Sequence, residues 1–133
     1  MFLAKEKATG RDVAIKCISL NAQNRPLLAT EIQLMKQCRH PNVVEYIDSY
    51  IVDKGKTLWL AMELMAGGCL TDILEQYEYV KLTEPQIALV CRETLRGLAY
   101  MHSMYRIHRD IKSDNILLSA QGAIKLGMFN MLS

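Results

Sequence analysis

Short apolar runs separated by turn residues fill the first half of the chain. The runs at 2–5 and 12–19 flank a Thr-Gly pair, and those at 46–52 and 57–62 flank Asp-Lys-Gly-Lys. Both arrangements are typical of β-hairpins. Between them, apolar residues recur at helical spacing over 26–38. This half of the chain therefore predicts two hairpins and one helix.

The pattern becomes helical after residue 80. Thr83 precedes Glu, Pro and Gln, which together form a capping box with an early proline and so mark a helix start. The helix is predicted to run to about residue 103, and one of its faces carries Ile87, Cys91, Leu95, Leu98 and His102. Apolar runs at 116–118 and 123–126 around Ser-Ala-Gln-Gly predict a third hairpin. Strands followed by helices predict an α+β fold with two lobes.

Composition excludes several classes of protein. The chain has 133 residues, half of them apolar, and a net charge of +2, which is too weak to indicate nucleic acid or an anionic membrane as a partner. The four cysteines contain no Cys-x-x-Cys pair and make no metal-ligand spacing with the three histidines. The charged start does not resemble a signal peptide. We therefore expect reduced thiols and a cytoplasmic protein.

The eight residues from His108 to Asn115 read H-R-D-I-K-S-D-N and resemble the catalytic loop of protein kinases. The resemblance implies that Asp110 accepts the proton of an attacking hydroxyl and that Asn115 faces a metal ion. Lys112 would place a cation against the transferred phosphate, where negative charge accumulates. An ordinary charged loop explains any three of these residues, but it does not explain the whole octet before a hairpin.

A second kinase-like pair lies in the first half. Val13–Lys16 reads V-A-I-K, and in kinases the lysine of this strand holds the α- and β-phosphates of ATP and pairs with a helix glutamate. Glu31 is the matching acid, fifteen positions after Lys16. Taken alone, Glu31 could equally be a solvated helix glutamate.

Further segments extend the resemblance. Residues 40–44 read H-P-N-V-V, and residues 62–70 resemble the hinge between kinase lobes. The resemblance implies that Met62 is the gatekeeper and that the backbone of Glu63 and Met65 bonds the adenine edge, with Ala14 above the base and Leu117 below it. Core packing is the alternative for the apolar members, and both roles are compatible. Cys69 is interpreted as a packed or exposed thiol near the ribose rather than a reactive one.

The resemblance covers Phe2 to Leu126, and Lys112 indicates the serine/threonine class. The catalytic loop and the hinge are most similar to those of the PAK group, with the related germinal-centre kinases kept open. The implied domain is a partial kinase domain with an N-lobe at 1–62, a hinge at 63–69 and a partial C-lobe at 70–133. The resemblance implies ATP and Mg²⁺ as cofactors, serine or threonine in protein substrates, and small-GTPase signalling through regions outside this chain. The weak net charge leads us to expect no nucleic-acid or membrane partner.

Two departures from the family pattern lead to a further expectation. Met1 falls just after the position of the glycine-rich loop, and Met128 stands where kinases have the magnesium-binding aspartate of Asp-Phe-Gly. A thioether is a poor ligand for magnesium, and no activation segment follows. We therefore expect the chain as given to be inactive, to bind ATP weakly and to be poorly stable alone.

Three hypotheses about the chain follow. It could be a piece of an active kinase whose end is a misread exon, or a non-catalytic, kinase-derived binding module. An unrelated small α+β protein is disfavoured because the motifs all occur in kinase order.

Overall fold

A computed structural model of the chain describes residues 1–76, 79 and 81–127. The backbone divides into two units. The first comprises Met1–Arg39 and Glu45–Leu64, and the second comprises His40–Val44 and the chain from Met65 onward. The residues in strands precede most of those in helices, which confirms the predicted α+β class.

The first unit contains a four-stranded antiparallel sheet. Its strands are β1 (Phe2–Lys5), β2 (Asp12–Ser19), β3 (Tyr46–Val52) and β4 (Thr57–Glu63), in the order β1-β2-β4-β3. Both predicted hairpins are present. The turn between β3 and β4 has consecutive left-handed residues at Asp53 and Lys54, a backbone twist that suits tight hairpin turns.

Helix α1 (Asn24–Lys36) begins and ends two residues before the predicted 26–38. It begins early because Asn21 and Asn24 exchange side-chain hydrogen bonds with each other's backbone N–H groups, at 2.9 and 2.7 Å. Pro26 is tolerated because N–H groups in the first helical turn have no intrahelical acceptor. The helix ends where the Gln37 N–H bonds the carbonyl of Leu34, which tightens the last turn.

The second unit contains a three-stranded antiparallel sheet of β5 (Gly68–Cys69), β6 (Ile116–Leu118) and β7 (Ile124–Leu126), in that order. Its helices are α2 (Leu70–Gln76) and α3 (Glu84–Ser103). Strands β6 and β7 form the predicted third hairpin. Neither β5 nor α2 was predicted, because two residues of strand and seven of helix are too short to show a period.

Helix α3 begins with the predicted capping box, in which Gln86 Oε1 accepts the Thr83 N–H at 2.8 Å. The face that the apolar spacing indicated is largely exposed, and Leu95 retains 62% of its accessible surface. The buried residues of α3 are Thr94, Gly97 and Met101 instead.

None of the helices within the described ranges combines the length and apolar character that a membrane span requires.

The core of the second unit surrounds Leu126, which is fully buried. The Leu126 N–H donates to the carbonyl of Asn42 at 2.8 Å, and the Leu126 carbonyl accepts the Val44 N–H at 2.9 Å. The H-P-N-V-V segment is thus attached to β7 by backbone hydrogen bonds. The buried apolar cluster comprises Val43, Leu70, Met101, Ile116, Ile124 and Leu126.

Candidate functional site

The loop between α3 and β6 holds a carboxylate between two polar partners. Asp110 Oδ2 lies 3.2 Å from the Lys112 ammonium and accepts a hydrogen bond from the Asn115 amide nitrogen at 3.1 Å. The same amide nitrogen donates to the backbone carbonyl of Asp110 at 2.7 Å. The structure therefore brings together the three residues that the motif singled out, and it fixes the orientation of the Asp110 side chain.

The backbone preceding Asp110 is unusual. Arg109 has a φ of +68°, in the left-handed region that a residue with a Cβ rarely adopts. Such conformations persist where surrounding contacts impose them, and they are concentrated at functional sites. Nothing in the sequence around Arg109 predicts this conformation.

His108 supplies the contacts that hold this backbone. Its ring is buried, Nε2 lies 2.7 Å from the carbonyl oxygen of Gly127, and Nδ1 lies 3.3 Å from the Asp110 nitrogen. Because a carbonyl only accepts, Nε2 carries the proton and Nδ1 accepts the Asp110 N–H. His108 therefore links the catalytic-loop backbone to the residue that follows β7.

In the first unit, Lys16 and Glu31 interact electrostatically. Burial lowers the pKa of Lys16 from its ordinary 10.5, and the negative charge of Glu31 partly offsets this effect. Burial likewise raises the pKa of Glu31 from 4.5, and Lys16 opposes that shift. Both side chains are half-buried. The pair anticipated from sequence thus lies close enough for each charge to affect the other.

We expect Glu31→Gln to lower the pKa of Lys16 further, because only the desolvation of the ammonium remains. The unfolded chain binds more protons between the lowered pKa and 10.5, so in this window the free energy of unfolding rises with pH. In Glu31→Gln the window begins at a lower pH. Titration of the Lys16 side-chain ¹³Cε resonance measures the pKa directly.

The matched control for this titration is Asp53→Asn. It removes a carboxylate from an exposed turn of the same unit, and asparagine tolerates the positive φ found there. We expect the pKa of Lys16 to remain unchanged in this variant. An equal shift in both variants would mean that the net charge of the unit, rather than the nearby Glu31 carboxylate, sets the pKa of Lys16.

Two further predicted residues are neighbours in the first sheet. Ala14 on β2 lies directly opposite Met62 on β4, and both are buried. Lys16 lies two positions further along β2, so its side chain leaves the same face of the strand as Ala14. The structure therefore places these three side chains on one face of the sheet.

The hinge residues belong to different units. The Glu63 carboxylate accepts the Glu45 N–H at 2.7 Å within the first unit. In the second unit, the Met65 carbonyl accepts the Gly68 N–H at 3.0 Å. Leu117 is half-buried on β6, opposite Cys69.

The catalytic loop offers oxygen ligands of the kind that magnesium prefers. Over residues 1–76, 79 and 81–127, no three histidine, cysteine, aspartate or glutamate side chains gather where they could hold a metal ion. Magnesium needs no such cluster, since one or two side chains together with phosphate oxygens and waters suffice. The Asn115 amide nitrogen faces Asp110, so its carbonyl oxygen is the atom that would be available to a cation, and in this respect the residues present fit the ion.

Comparison with known proteins identifies the family. The protein kinase domain model matches residues 1–132. The chain is 60% identical over 129 residues to serine/threonine-protein kinase pakB and 54% identical to pakC, both from Dictyostelium discoideum. It is 47% identical over 130 residues to serine/threonine-protein kinase PAK 1 of Mus musculus. The chain belongs to the protein kinase family.

Each of these alignments covers 97% of the chain but only 15%, 27% and 23% of pakB, pakC and PAK 1 respectively. The predicted resemblance to PAK-like serine/threonine kinases is confirmed. The strand-rich first part and the helices that follow are accordingly consistent with the N-lobe and the start of the C-lobe of a kinase fold. The roles of individual site residues and the lobe boundaries stay predictions, and Met128 lies outside the described residues.

Sequence reasoning missed several polar contacts in the second unit. Buried Asn42 donates to the Glu93 carboxylate at 2.7 Å and to the Ile124 carbonyl at 3.0 Å. The hydrogen bond from Asn42, followed by that from Arg92, lowers the pKa of Glu93. Thr71 donates to Ser113, the residue after Lys112. The H-P-N motif was a signal for the contacts of Asn42, whereas no local pattern indicates the hydrogen bond between Thr71 and Ser113.

Proposed function

We propose that this chain is the portion of a PAK-like serine/threonine kinase that carries the catalytic loop. The protein would transfer the γ-phosphoryl group of ATP to a serine or threonine hydroxyl of a protein substrate. The supporting observation is the Asp110 carboxylate, which is held between Lys112 and Asn115 within a single short loop. A carboxylate in a fixed orientation is suited to receive a proton from a hydroxyl as the hydroxyl attacks phosphorus.

The contacts in the loop support the catalytic roles proposed for its residues. Asp110 orients the substrate hydroxyl and accepts its proton. Lys112 pairs with Asp110, and about half of its side chain remains exposed, so its ammonium is accessible to the transferred phosphate. Because phosphoryl transfer depends mainly on positioning and charge stabilisation, these two side chains supply the chemistry that the protein itself must provide.

The remaining residues are proposed to bind the nucleotide. Lys16 would contact the α- and β-phosphates, with Glu31 orienting its ammonium, as their electrostatic interaction supports. The backbone groups of Glu63 and Met65 would bond the adenine edge. The apolar residues proposed to contact the base are Ala14, Met62 and Leu117.

Magnesium and ATP are the proposed cofactors. When bound, Mg²⁺ neutralises charge on the phosphate oxygens, and Asn115 would hold it through its amide oxygen. The kinase family also uses the aspartate of Asp-Phe-Gly, whose position here is Met128, outside the described residues.

We further propose a cytoplasmic protein that participates in signal transduction. Small GTPases would act on it through regions other than this chain. Neither a nucleic acid nor a membrane is proposed as a partner.

A non-catalytic binding module is the second candidate. The apolar face of α3 favours it, because Leu95 and Ile87 are exposed. An exposed apolar face on a helix is a suitable surface for a protein partner. This hypothesis predicts a stable cellular protein of the present length, recovered together with a specific partner.

One experiment separates the two candidates. The full-length transcript is sequenced upstream of Met1 and across the junction of Gly127 and Met128, and its product is incubated with γ-labelled ATP and a basic protein substrate. Label on serine or threonine supports the kinase assignment, and label on tyrosine contradicts the proposed class. A transcript that ends at Ser133, with no transfer of label, supports the binding module.

A further inference from the structure

A hydrogen bond connects α2 to the catalytic loop. The Thr71 hydroxyl, on the second residue of α2, donates to the Ser113 hydroxyl with an Oγ1–Oγ distance of 2.7 Å. The two residues are 42 positions apart in sequence, and both side chains are half-buried. Partial burial makes such a bond worth more than an exposed one, because water competes less well for each hydroxyl.

The segments that carry the two hydroxyls also pair through their backbones. Cys69 lies opposite Leu117 in the β5–β6 ladder, and the Gly67 N–H donates to the Leu118 carbonyl at 2.8 Å. A Cβ at Gly67 would lie only 2.8 Å from that same carbonyl oxygen, so only glycine allows this approach. The Thr71–Ser113 bond extends the pairing beyond the end of β6, into the turn at Ser113–Asn115.

That turn determines where Asn115 lies relative to Asp110. The Asn115 N–H donates to the Lys112 carbonyl at 2.9 Å and so closes the turn around Ser113. The Asn115 amide nitrogen then contacts both the backbone carbonyl and the carboxylate of Asp110. A shift of Ser113 would therefore move the amide that orients the Asp110 carboxylate.

We propose that Thr71 is a positioning residue for phosphoryl transfer. Its hydroxyl holds Ser113 in place, and the turn beginning at Ser113 keeps Asn115 against Asp110. Thr71 acts through these residues and contacts none of the reacting atoms. The catalytic consequence rests on the function proposed above, whereas the effect on the loop does not.

The kinetic test uses the full-length protein and four variants. Thr71→Val keeps the shape of the side chain without its hydroxyl, Thr71→Ser keeps the hydroxyl, and Ser113→Ala removes the acceptor. We expect Thr71→Val and Ser113→Ala each to lower kcat about fivefold to tenfold, the factor expected for one lost hydrogen bond, with little change in KM for ATP. Thr71→Ser should restore kcat, and the double variant Thr71→Val/Ser113→Ala should lose no more than either single variant.

Two kinetic results would overturn the proposal. One is a Thr71→Ser variant as slow as Thr71→Val, which would show that the hydroxyl is not what matters. The other is a double variant whose loss equals the product of the two single losses, since independent residues give that outcome.

Amide hydrogen exchange tests whether the Thr71–Ser113 hydrogen bond holds the loop, and it requires no enzymatic activity. In Thr71→Val, the Asn115 N–H should exchange about fivefold faster, because the turn is no longer held at Ser113. The Leu126 N–H, bonded to Asn42 in the same unit, should exchange at the unchanged rate. Unchanged exchange at Asn115 overturns the proposal. A wild-type protein that transfers no phosphoryl group would refute the phosphoryl transfer proposed above, but it would leave the effect of Thr71 on the loop to be decided by the exchange rates.

Discussion

Asp110→Asn in the full-length protein that contains this chain is expected to lower kcat about a thousandfold, within the usual range for loss of a general base. Asparagine preserves the size of the side chain and one oxygen that can accept from Asn115. It removes the negative charge that attracts Lys112 and the group that we propose accepts the hydroxyl proton. KM for ATP should change little, because the proposed contacts of Asp110 are to the acceptor hydroxyl. Steady-state transfer to a basic protein substrate provides both constants.

The matched control is Glu75→Gln, which neutralises an exposed carboxylate on α2. This variant should retain kcat within about twofold, as is usual for surface substitutions. If Asp110→Asn were as active as the wild-type protein, the role of Asp110 would be wrong even though the chain belongs to the kinase family.

Gly97→Ala is expected to destabilise the second unit by about 3 kcal/mol, although alanine is the better helix former by about 1 kcal/mol. The new Cβ would lie 2.6 Å from the Asn42 carbonyl oxygen and 3.0 Å from a methyl carbon of Leu126. The Asn42 oxygen cannot withdraw freely, because it accepts the Leu126 N–H at 2.8 Å. Moving it would weaken a buried hydrogen bond, and moving α3 would open the core around Leu126.

The urea midpoint and slope, followed by far-UV circular dichroism, measure this loss in the purified protein. Gly122→Ala is a useful comparison, because its Cβ would meet nothing within 4 Å, while its φ of +83° disfavours any side chain. That variant should lose only about 1 kcal/mol, from backbone strain. A Gly97→Ala protein more stable than wild type would show that helix propensity outweighs the close approach.

The catalytic loop illustrates how a small motif acquires a defined geometry. Its side chains are close in sequence. His108 and Asn115 hold the backbone of Asp110 on either side, and Lys112 and Asn115 orient its carboxylate. His108 in turn bonds to Gly127, beyond β7. The left-handed Arg109 lies between these contacts, so the strain at its backbone is balanced by hydrogen bonds on both sides.

The sequence by itself determined the kinase assignment and most of the secondary structure. The hairpins and the start of α3 were predictable because turn residues and the capping box act over a few neighbouring positions. The resemblance to kinases implied the pairing of Lys16 with Glu31 and the grouping of Asp110, Lys112 and Asn115 in one loop. The boundaries of α1 were wrong by two residues at each end. The paired hydrogen bonds of Asn21 and Asn24 lie before the apolar pattern begins, and the Gln37 N–H closes the last turn on Leu34 before that pattern ends.

Only the tertiary structure decided which face of α3 is buried. Its larger apolar residues indicated one face, but the chain buries Thr94, Gly97 and Met101, because Gly97 permits contact with Asn42 and Leu126. The same holds for β5, for α2 and for the bond between Thr71 and Ser113, which join segments that are distant along the chain. Local patterns record what each segment favours, whereas close approaches and long-range hydrogen bonds exist only once the segments have packed.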